Sequence, residues 1–177
     1  FETKGKAGRF DRARADALGL SEIQIADLAQ GQDLMHEGGE ITAASFRGNP
    51  RPGCSLMISG DTKFGPSGFD VEKLPSSPRL LLHEATFLAD KQDKASEYYH
   101  STAADAARHA TMCKANTLAL THYSSRIERL SASVSEAREH FSGSVAATSD
   151  GDWFEIDSNG DVIHNVRIEN GWNKMNL

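Results

Sequence analysis

The chain has 177 residues, of which 38% are hydrophobic and 25% charged, and its net charge is −6. This length and composition suit a single domain with a hydrophobic core, which we predict over residues 1–177. The negative charge argues against a surface built for non-specific binding to nucleic acid, and no apolar stretch approaches the length of a membrane span.

The ends and the cysteines also bear on the class of protein. The chain starts with Phe1-Glu2-Thr3 and lacks an initiator Met, so we expect a processed or truncated chain, or one half of a larger protein. Cys54 and Cys113 are too few for a disulfide scaffold and are expected to be buried thiols in a reducing compartment. We therefore expect a cytoplasmic protein, or an organellar one if the source is eukaryotic.

The first 50 residues carry signals for short helices. A helix is predicted over 11–18 with Asp11 as its cap, because a side-chain oxygen there can accept a free N–H group of the first turn. Ser21 and Gln24 form a capping-box pattern for a second helix that ends near Gly31. Residues 41–46, from Ile41 to Phe46, are predicted to form a strand.

Three short apolar runs bounded by turn signals dominate the middle of the chain. Such runs are typical of strands buried on both faces of a parallel sheet. The runs are Leu56-Met57-Ile58, Leu80-Leu81-Leu82 and Leu118-Ala119-Leu120. The sequence therefore predicts an α/β protein with three parallel strands.

The connections between these strands are predicted as follows. Residues 69–74 form a helical turn, and the charged residues 88–99 form an exposed segment. Thr102 with Asp105 caps a helix over 103–114, whose small apolar positions keep helical spacing. A strand–helix–strand order of this kind favours a parallel crossover.

Past the third run, the pattern changes to another helix and then a hairpin. Ser133 with Glu136 is predicted to cap a helix that reaches about Phe141. Residues 153–156 and 162–168 flank an Asn-Gly turn, which is a strong hairpin signal.

Polar residues follow each of the three apolar runs. Asp61, Glu84 and His122 would meet at one rim of the sheet if the strands are parallel, which is where layered α/β folds place their sites. Asp61 can hold or bridge cations through its two oxygens, or can be an ordinary loop residue. His122 can be a metal ligand, or a core histidine with a hydrogen-bonded ring.

Two further groups add to this candidate site. Glu84 and His100 form a candidate acid–base pair, in which the carboxylate holds one ring nitrogen while the other delivers a proton. Ser124, Ser125 and Arg126 offer hydroxyls and a guanidinium that suit a phosphate. The other four histidines (His36, His109, His140 and His164) are predicted to lie on the surface. The residues alone indicate an α/β hydrolase-like site, with metal dependence left open.

Four motifs resemble, in order and rough spacing, the C-terminal half of ribonuclease Z, the tRNA 3′-processing endonuclease family of the metallo-β-lactamase superfamily. They are Ser59-Gly60-Asp61-Thr62, His83-Glu84-Ala85-Thr86, His100-Ser101-Thr102 and Thr121-His122-Tyr123-Ser124-Ser125-Arg126. The resemblance implies the C-terminal half of the αββα sandwich and a nuclease that hydrolyses a phosphodiester after the discriminator base of precursor tRNA.

The resemblance also implies a role for each residue. Asp61 would bridge two zinc ions, and His122 would be a terminal ligand of one of them. Glu84 and His100 would protonate the leaving 3′ oxygen. The phosphate of the substrate would lie where the family contacts it, at Ser124, Ser125 and Arg126.

Three departures from the family pattern limit what this chain is expected to do by itself. The His-rich ligand run of the N-terminal half is missing, so the isolated chain is expected to bind zinc poorly and not to cleave RNA. Ile127 replaces a usual aromatic residue, and residues 20–23 lack the Gly-Pro typical of the arm that clamps the tRNA elbow.

The sequence leaves partners and two other function classes open. We expect the chain to need an N-terminal half or a second subunit, and to form a homo-oligomer or a hetero-complex, with no membrane involved. A non-catalytic RNA- or protein-binding subunit with the same fold is one alternative. The other is a different phosphodiesterase of the metallo-β-lactamase fold.

Overall fold

The computed structural model describes residues 1–65 and 77–177, and the predicted helical turn over 69–74 lies outside them. The chain forms two compact units. One comprises Lys4–Gly53, and the other comprises Phe1–Thr3 together with Cys54–Leu177. Among the described residues, no helix is both long and apolar enough to cross a membrane. That residues 1–177 act as one domain stays a prediction.

The unit Lys4–Gly53 contains the two predicted short helices. Helix α1 spans Arg12–Ala17, and Asp11 accepts a hydrogen bond from the backbone N–H of Arg14. Helix α2 spans Glu22–Gln30 and has the predicted capping box of Ser21 and Gln24. These caps satisfy N–H groups that the first turn of a helix leaves free.

The predicted strand over 41–46 is wrong. A short hairpin of β1 (Leu34–His36) and β2 (Gly39–Ile41) ends at Ile41, and a 3₁₀ helix spans Ala43–Phe46. Asp33 accepts the N–H of Ala43 at 2.7 Å, which starts this turn. The 3₁₀ helix lets two residues three apart enter the same core, whereas a strand would place them on opposite faces. That core comprises Ala15, Leu20, Ile25, Leu28, Ala43 and Phe46.

The larger unit is built on a four-stranded parallel sheet, which confirms the α/β prediction. Its strands lie in the order β3-β4-β5-β6 and are parallel throughout. They are β3 (Leu56–Ile58), β4 (Leu80–Glu84), β5 (Thr117–Thr121) and β6 (Ser144–Ala147). The three apolar runs are thus three adjacent strands, as predicted.

Helices cover one face of this sheet. Helix α4 (Ala103–Met112) starts at the predicted capping box of Thr102 and Asp105. Its alanines pack against leucines of β4 and β5 that point to the same face. Small side chains let the helix lie close to the sheet, and burial of each leucine stabilises the fold by roughly 2 kcal/mol.

The predicted cap at Ser133 is wrong. Helix α5 (Leu130–Arg138) begins three residues earlier, so Ser133 is buried inside it. Glu136, the other half of the predicted cap, reaches outward and accepts the N–H groups of Ala89 and Ala104 at 2.8 and 2.9 Å. The predicted helix is therefore present, but the Glu136 carboxylate forms tertiary hydrogen bonds instead of capping it.

The charged segment 88–99 is mostly exposed, as predicted, and it is helical. A 3₁₀ helix spans Ala89–Lys91, and α3 spans Gln92–Glu97. Ala95 is fully buried, and its carbonyl accepts the N–H of His100 at 2.8 Å. The segment therefore has one buried side, which fixes the start of the His100 motif.

The other face of the parallel sheet packs on a three-stranded antiparallel sheet. The predicted hairpin is present as β7 (Trp153–Ile156) and β8 (Val162–Ile168), and a third strand, β9 (Gly171–Asn176), pairs with β8. Leu80, Ala119 and Val162 are buried between the two sheets. The larger unit is thus a layer of helices, a parallel sheet and an antiparallel sheet.

Candidate metal and acid–base site

The polar ends of three parallel strands meet at one edge of the sheet. Glu84 is the last residue of β4 and is paired in register with Thr121, the last residue of β5. His122 follows immediately, and Asp61 lies three residues past the end of β3. The register of the parallel strands therefore brings the predicted Asp61, Glu84 and His122 to a common rim.

The backbone turns sharply at His122, which has a φ of +56°. A non-glycine residue in this left-handed region costs about 1 kcal/mol or more, so the surroundings must hold it. The carbonyl of His122 lies 3.0 Å from the Thr86 hydroxyl, and the N–H of Ser124 donates to the Thr86 carbonyl at 3.0 Å. The turn directs the His122 ring back over the end of the sheet.

The carboxylate of Glu84 is buried, and both of its oxygens accept hydrogen bonds. Oε1 accepts from the N–H of Thr62 at 3.0 Å and lies 3.0 Å from Nδ1 of His100. Oε2 accepts the hydroxyl of Thr86 at 2.7 Å and its N–H at 3.2 Å. These contacts fix the carboxylate, so the predicted pairing of Glu84 with His100 is present in the structure.

Thr86 connects the acid–base pair to the candidate metal ligand. A hydroxyl has one proton to donate, and we assign that of Thr86 to the short hydrogen bond with Glu84. The hydroxyl oxygen of Thr86 can then accept a hydrogen bond from another group. Nδ1 of His122 lies 2.9 Å from that oxygen. We therefore assign the proton of the His122 ring to Nδ1, which leaves Nε2 with a free lone pair for a metal.

Three side chains could hold a metal ion together. One ligand atom from each of Asp61, His100 and His122 lies within 4.8 Å of the others. Oδ1 of Asp61 and Nε2 of His122 are 3.8 Å apart. Two ligand atoms about 2.1 Å from a common zinc ion can be about 4 Å apart, so this pair fits one zinc ion.

The third member of that group already has a partner. Nδ1 of His100 donates to Glu84, and its ring stacks on that of His122 with centroids 5.2 Å apart. The side chain of His100 is 20% exposed, against 51% for His122 and 65% for Asp61. This burial and pairing suit a proton donor for His100 and a ligand role for the two exposed residues.

The residues predicted for phosphate binding follow His122 on an open turn. Ser125 and Arg126 are exposed and Ser124 is half-buried. The hydroxyl of Ser124 accepts the N–H of Arg126 at 3.3 Å. Within the described ranges, no carboxylate lies within ion-pair distance of Arg126, so its guanidinium is free for an anion.

Several supporting residues were not assigned roles from the sequence. Thr86 and Ser59 both stand in the motifs given above without a role of their own, and the Ser59 hydroxyl accepts the N–H of Glu84 at 3.1 Å. The Ser101 hydroxyl donates to the carbonyl of Thr62 at 2.6 Å. Each lies beside a predicted site residue, and this proximity in sequence was the one signal that could have indicated them.

Two of the histidines predicted to lie on the surface are buried. His109 on α4 is 1% exposed, and its Nδ1 lies 2.9 Å from Nε2 of His83 on β4. Burial lowers the pKa of both rings, that of His109 to about 4. The buried face of α4 was predicted from the spacing of its alanines alone, and His109 lies on that same face, toward the sheet.

The second buried histidine is His164 on β8, which is 2% exposed. Its Nε2 lies 2.9 Å from Oδ2 of Asp152, and its ring stacks on Phe154 at 4.5 Å. Burial opposes ionisation of Asp152, but backbone N–H groups of Arg167 and Ser149 and the His164 ring outweigh it and lower the pKa of this carboxyl. The pair supports the hairpin and lies outside the strand-end cluster.

The fold and this cluster define the class of protein: an α/β protein whose parallel strands end in an acid–base pair beside side chains able to hold a metal. No protein-family model matches the chain. Ribonuclease Z from Halobacterium salinarum is 38% identical over 153 residues, which are 85% of this chain and 49% of that protein. Ribonuclease Z from Myxococcus xanthus is 38% identical over 154 residues, with the same coverage of 85% and 49%.

The chain is thus homologous to the C-terminal half of ribonuclease Z, and the resemblance to this family of the metallo-β-lactamase superfamily is confirmed. It spans about half the length of the curated relatives that it matches. The aligned region is 85% of this chain, and the assignment of residues 1–177 to a single domain stays a prediction.

Solved structures of this fold match parts of the chain. The metallo-β-lactamase fold protein YhfI from Bacillus subtilis is 23% identical, with a TM-score of 0.46 over 62% of this chain and 39% of that protein. The short form of human tRNase Z is 28% identical, with a TM-score of 0.39 over 67% of this chain and 39% of that one. These matches are partial, and the assignment to the family is made from the sequences.

Proposed function

We propose that this chain is the C-terminal half of a zinc-dependent endoribonuclease that forms the 3′ end of tRNA. The observation that carries the proposal is the juxtaposition of two pairs of side chains. Asp61 and His122 have candidate ligand atoms 3.8 Å apart, and Oε1 of Glu84 lies 3.0 Å from Nδ1 of His100. The hydroxyl of Thr86 contacts both pairs, through Glu84 and His122. Relatives named ribonuclease Z support tRNA precursors as the substrate.

The donor set fits part of a two-zinc site. Asp61 would bridge the ions through its two carboxylate oxygens, and His122 would donate through Nε2. Two protein ligands are too few for two zinc ions, so an N-terminal half with a His-rich run would supply the others, either in a longer chain or as a second subunit. When bound, zinc would act as a Lewis acid toward the phosphodiester and activate the attacking water.

The chain's own residues would handle the leaving group. As water attacks phosphorus, the bond from phosphorus to the 3′ oxygen breaks, and this oxygen needs a proton. His100 would deliver it from Nε2, while Glu84 holds Nδ1 and stabilises the positive charge of the ring before transfer. The products would be a tRNA with a 3′-hydroxyl and a trailer with a 5′-phosphate.

The turn after His122 would bind substrate. Ser124 and Ser125 offer hydroxyls, and Arg126 offers a guanidinium without an ion-pair partner among the described residues. A planar guanidinium can donate two hydrogen bonds to one phosphate, so Arg126 would position the RNA backbone next to the metal.

The test is reconstitution. This chain, assembled with an N-terminal half that carries the His-rich run, should cleave precursor tRNA only when zinc is present. Asp61→Asn and His122→Ala should lower both zinc content and cleavage, whereas Glu84→Gln and His100→Gln should keep the zinc and lose cleavage. His140→Gln, an exposed histidine outside the site, is the matched control.

Two outcomes would overturn the proposal. One is an assembled protein that binds zinc with all four residues intact and leaves precursor tRNA uncut, which would indicate a non-catalytic subunit. The other is a faster turnover of a generic aryl phosphodiester than of precursor tRNA, which would indicate a different phosphodiesterase of the same fold.

A further inference from the structure

A cavity of about 350 Å³ lies beside the candidate site, within the larger unit, and shares Thr86 and Ser124 with it. Its volume falls in the range of small-ligand pockets. Phe87, Leu88 and Ile127, all half-buried, give the cavity an apolar floor. An apolar floor that touches a polar site suits a ligand with one flat apolar part and one charged part.

The rim of the cavity is cationic, although the chain as a whole has a net charge of −6. Lys94, Arg126 and Arg129 line it and are exposed. In residues 1–65 and 77–177, none of the three has a carboxylate within ion-pair distance, whereas Lys91 is paired with Asp90 at 2.6 Å. The exposed carboxylate of Glu128 also lines the cavity, so the unpaired charges of the lining sum to +2. This local excess of positive charge in an acidic protein indicates an anionic ligand.

Backbone hydrogen bonds hold the walls in place without a ligand. The N–H of Phe87 donates to the carbonyl of Ser101 at 3.2 Å, and the carbonyl of Phe87 accepts from Ala103 at 3.0 Å. On the opposite wall, the N–H of Ile127 donates to the carbonyl of Ser124 at 2.9 Å. Little ordering is therefore required on binding, which favours affinity.

Phe87 connects the cavity to the acid–base pair. Its ring meets that of His100 edge to face, with centroids 6.3 Å apart. A group stacked in the cavity against Phe87 would lie next to the residue that we propose as the proton donor. In the proposed reaction, an occupant of the cavity would therefore lie next to the bond that breaks.

We propose that this cavity binds one unpaired ribonucleotide adjoining the scissile phosphate. Its base would pack on Phe87 and the neighbouring apolar side chains, and its phosphate would lie near Lys94 and Arg129. Every base has a flat face for stacking, so the cavity would select for an unpaired nucleotide rather than for a particular base. This inference rests on the proposed function and adds a nucleotide subsite to it.

The test is a titration of the assembled protein with uridine 5′-monophosphate, followed by NMR chemical shifts, with EDTA present so that no metal binds the phosphate. Phe87→Leu keeps an apolar side chain of similar volume but removes the flat ring, and should raise Kd about tenfold. Lys94→Gln combined with Arg129→Gln should raise Kd at least fivefold and flatten its dependence on salt. Lys94 and Arg129 are exposed and Phe87 is half-buried, so the NMR spectrum of each variant without nucleotide also checks that the fold is retained.

Arg138→Gln, an exposed cation on α5 outside the cavity, is the matched control and should leave Kd unchanged. Equal affinity for inorganic phosphate and the nucleotide, no effect of the Phe87 and Lys94/Arg129 variants, or no saturable binding would each overturn the inference. A wild-type protein that cleaves precursor tRNA while failing to bind the nucleotide would overturn the subsite alone. Saturable binding without any cleavage would instead overturn the proposed function.

Discussion

The hydroxyl oxygen of Thr86 lies 2.9 Å from Nδ1 of His122. Thr86 is not itself a candidate ligand, but this contact places the ring proton of His122 on Nδ1. Nε2 of His122 is then the nitrogen that can bind a metal. The same hydroxyl donates to Glu84 at 2.7 Å, so the proposed metal and acid–base parts of the site share one side chain. Groups that orient metal-binding histidines in this way typically change metal affinity 10- to 100-fold when removed.

Thr86→Val should therefore weaken zinc binding by about 10- to 100-fold, because valine keeps the shape but cannot fix the tautomer of His122. The measurement is a competition between the assembled protein and a chelating dye. Thr111→Val, which removes a hydroxyl bonded to the carbonyl of His140 at 2.8 Å, is the control. Equal zinc affinity in wild type and Thr86→Val would contradict the orienting role.

The proposed proton donor can be separated from the metal by the choice of leaving group. His100→Gln should lower kcat for precursor tRNA by about 10²- to 10⁴-fold with unchanged zinc content, because the 3′ oxygen then leaves without a proton. An aryl phosphodiester, whose leaving group needs no proton, should be cleaved at a nearly unchanged rate. Loss of both activities to the same degree would show that His100 acts in another way.

The buried pair of His83 and His109 predicts a pH dependence of stability. Burial holds the pKa of His109 at about 4 in the folded protein, below its ordinary value of 6.5, and lowers that of His83. Between these values the unfolded chain binds more protons, so the free energy of unfolding rises with pH across that window. From pH 7.5 to pH 5, His109 alone should contribute a loss of roughly 2 kcal/mol.

Urea unfolding of the assembled protein at the two pH values measures this loss. His109→Gln should reduce the difference between pH 7.5 and pH 5, whereas His140→Gln, at an exposed position, should not. A free energy of unfolding that falls with rising pH in this window would contradict the assignment.

Glu136 is predicted to be a tertiary support, because it accepts the N–H groups of Ala89 and Ala104 at 2.8 and 2.9 Å. Ala104 is fully buried in the first turn of α4, so its N–H would lose its partner away from water. Glu136→Ala should lower the free energy of unfolding by about 1–3 kcal/mol. Glu139→Ala, at an exposed position next to the end of α5, should change it by less than about 0.5 kcal/mol.

The isolated 177-residue chain is predicted to self-associate. Among the described residues β9 pairs on one side only, with β8, and Trp172 and Met175 on it are 50% and 41% exposed. An open, partly apolar edge strand promotes pairing with another chain. Light scattering should show dimers or larger species, and Met175→Lys should reduce them; a monomer at high concentration would contradict the prediction.

Much of this architecture was predictable because its signals are local. The runs that became β3, β4 and β5 are apolar on both faces, which only a covered parallel sheet requires. Capping boxes at Ser21 and Thr102 and the Asn-Gly turn also depend on neighbours in sequence. The strand over 41–46 and the cap at Ser133 failed because distant partners, Asp33 and the backbone of Ala89 and Ala104, decided those segments.

For the site, the sequence by itself determined which polar residues end the strands, because each run of apolar residues stops where its strand ends or nearly ends. Only the tertiary structure decided how they are joined. Thr86 links Glu84 and His122, and the left-handed turn at His122 brings its ring near Asp61. These residues lie at the ends of three different strands and meet only when the sheet forms. The sequence therefore determined which side chains form the candidate site, and the register of the strands determined the distances between them.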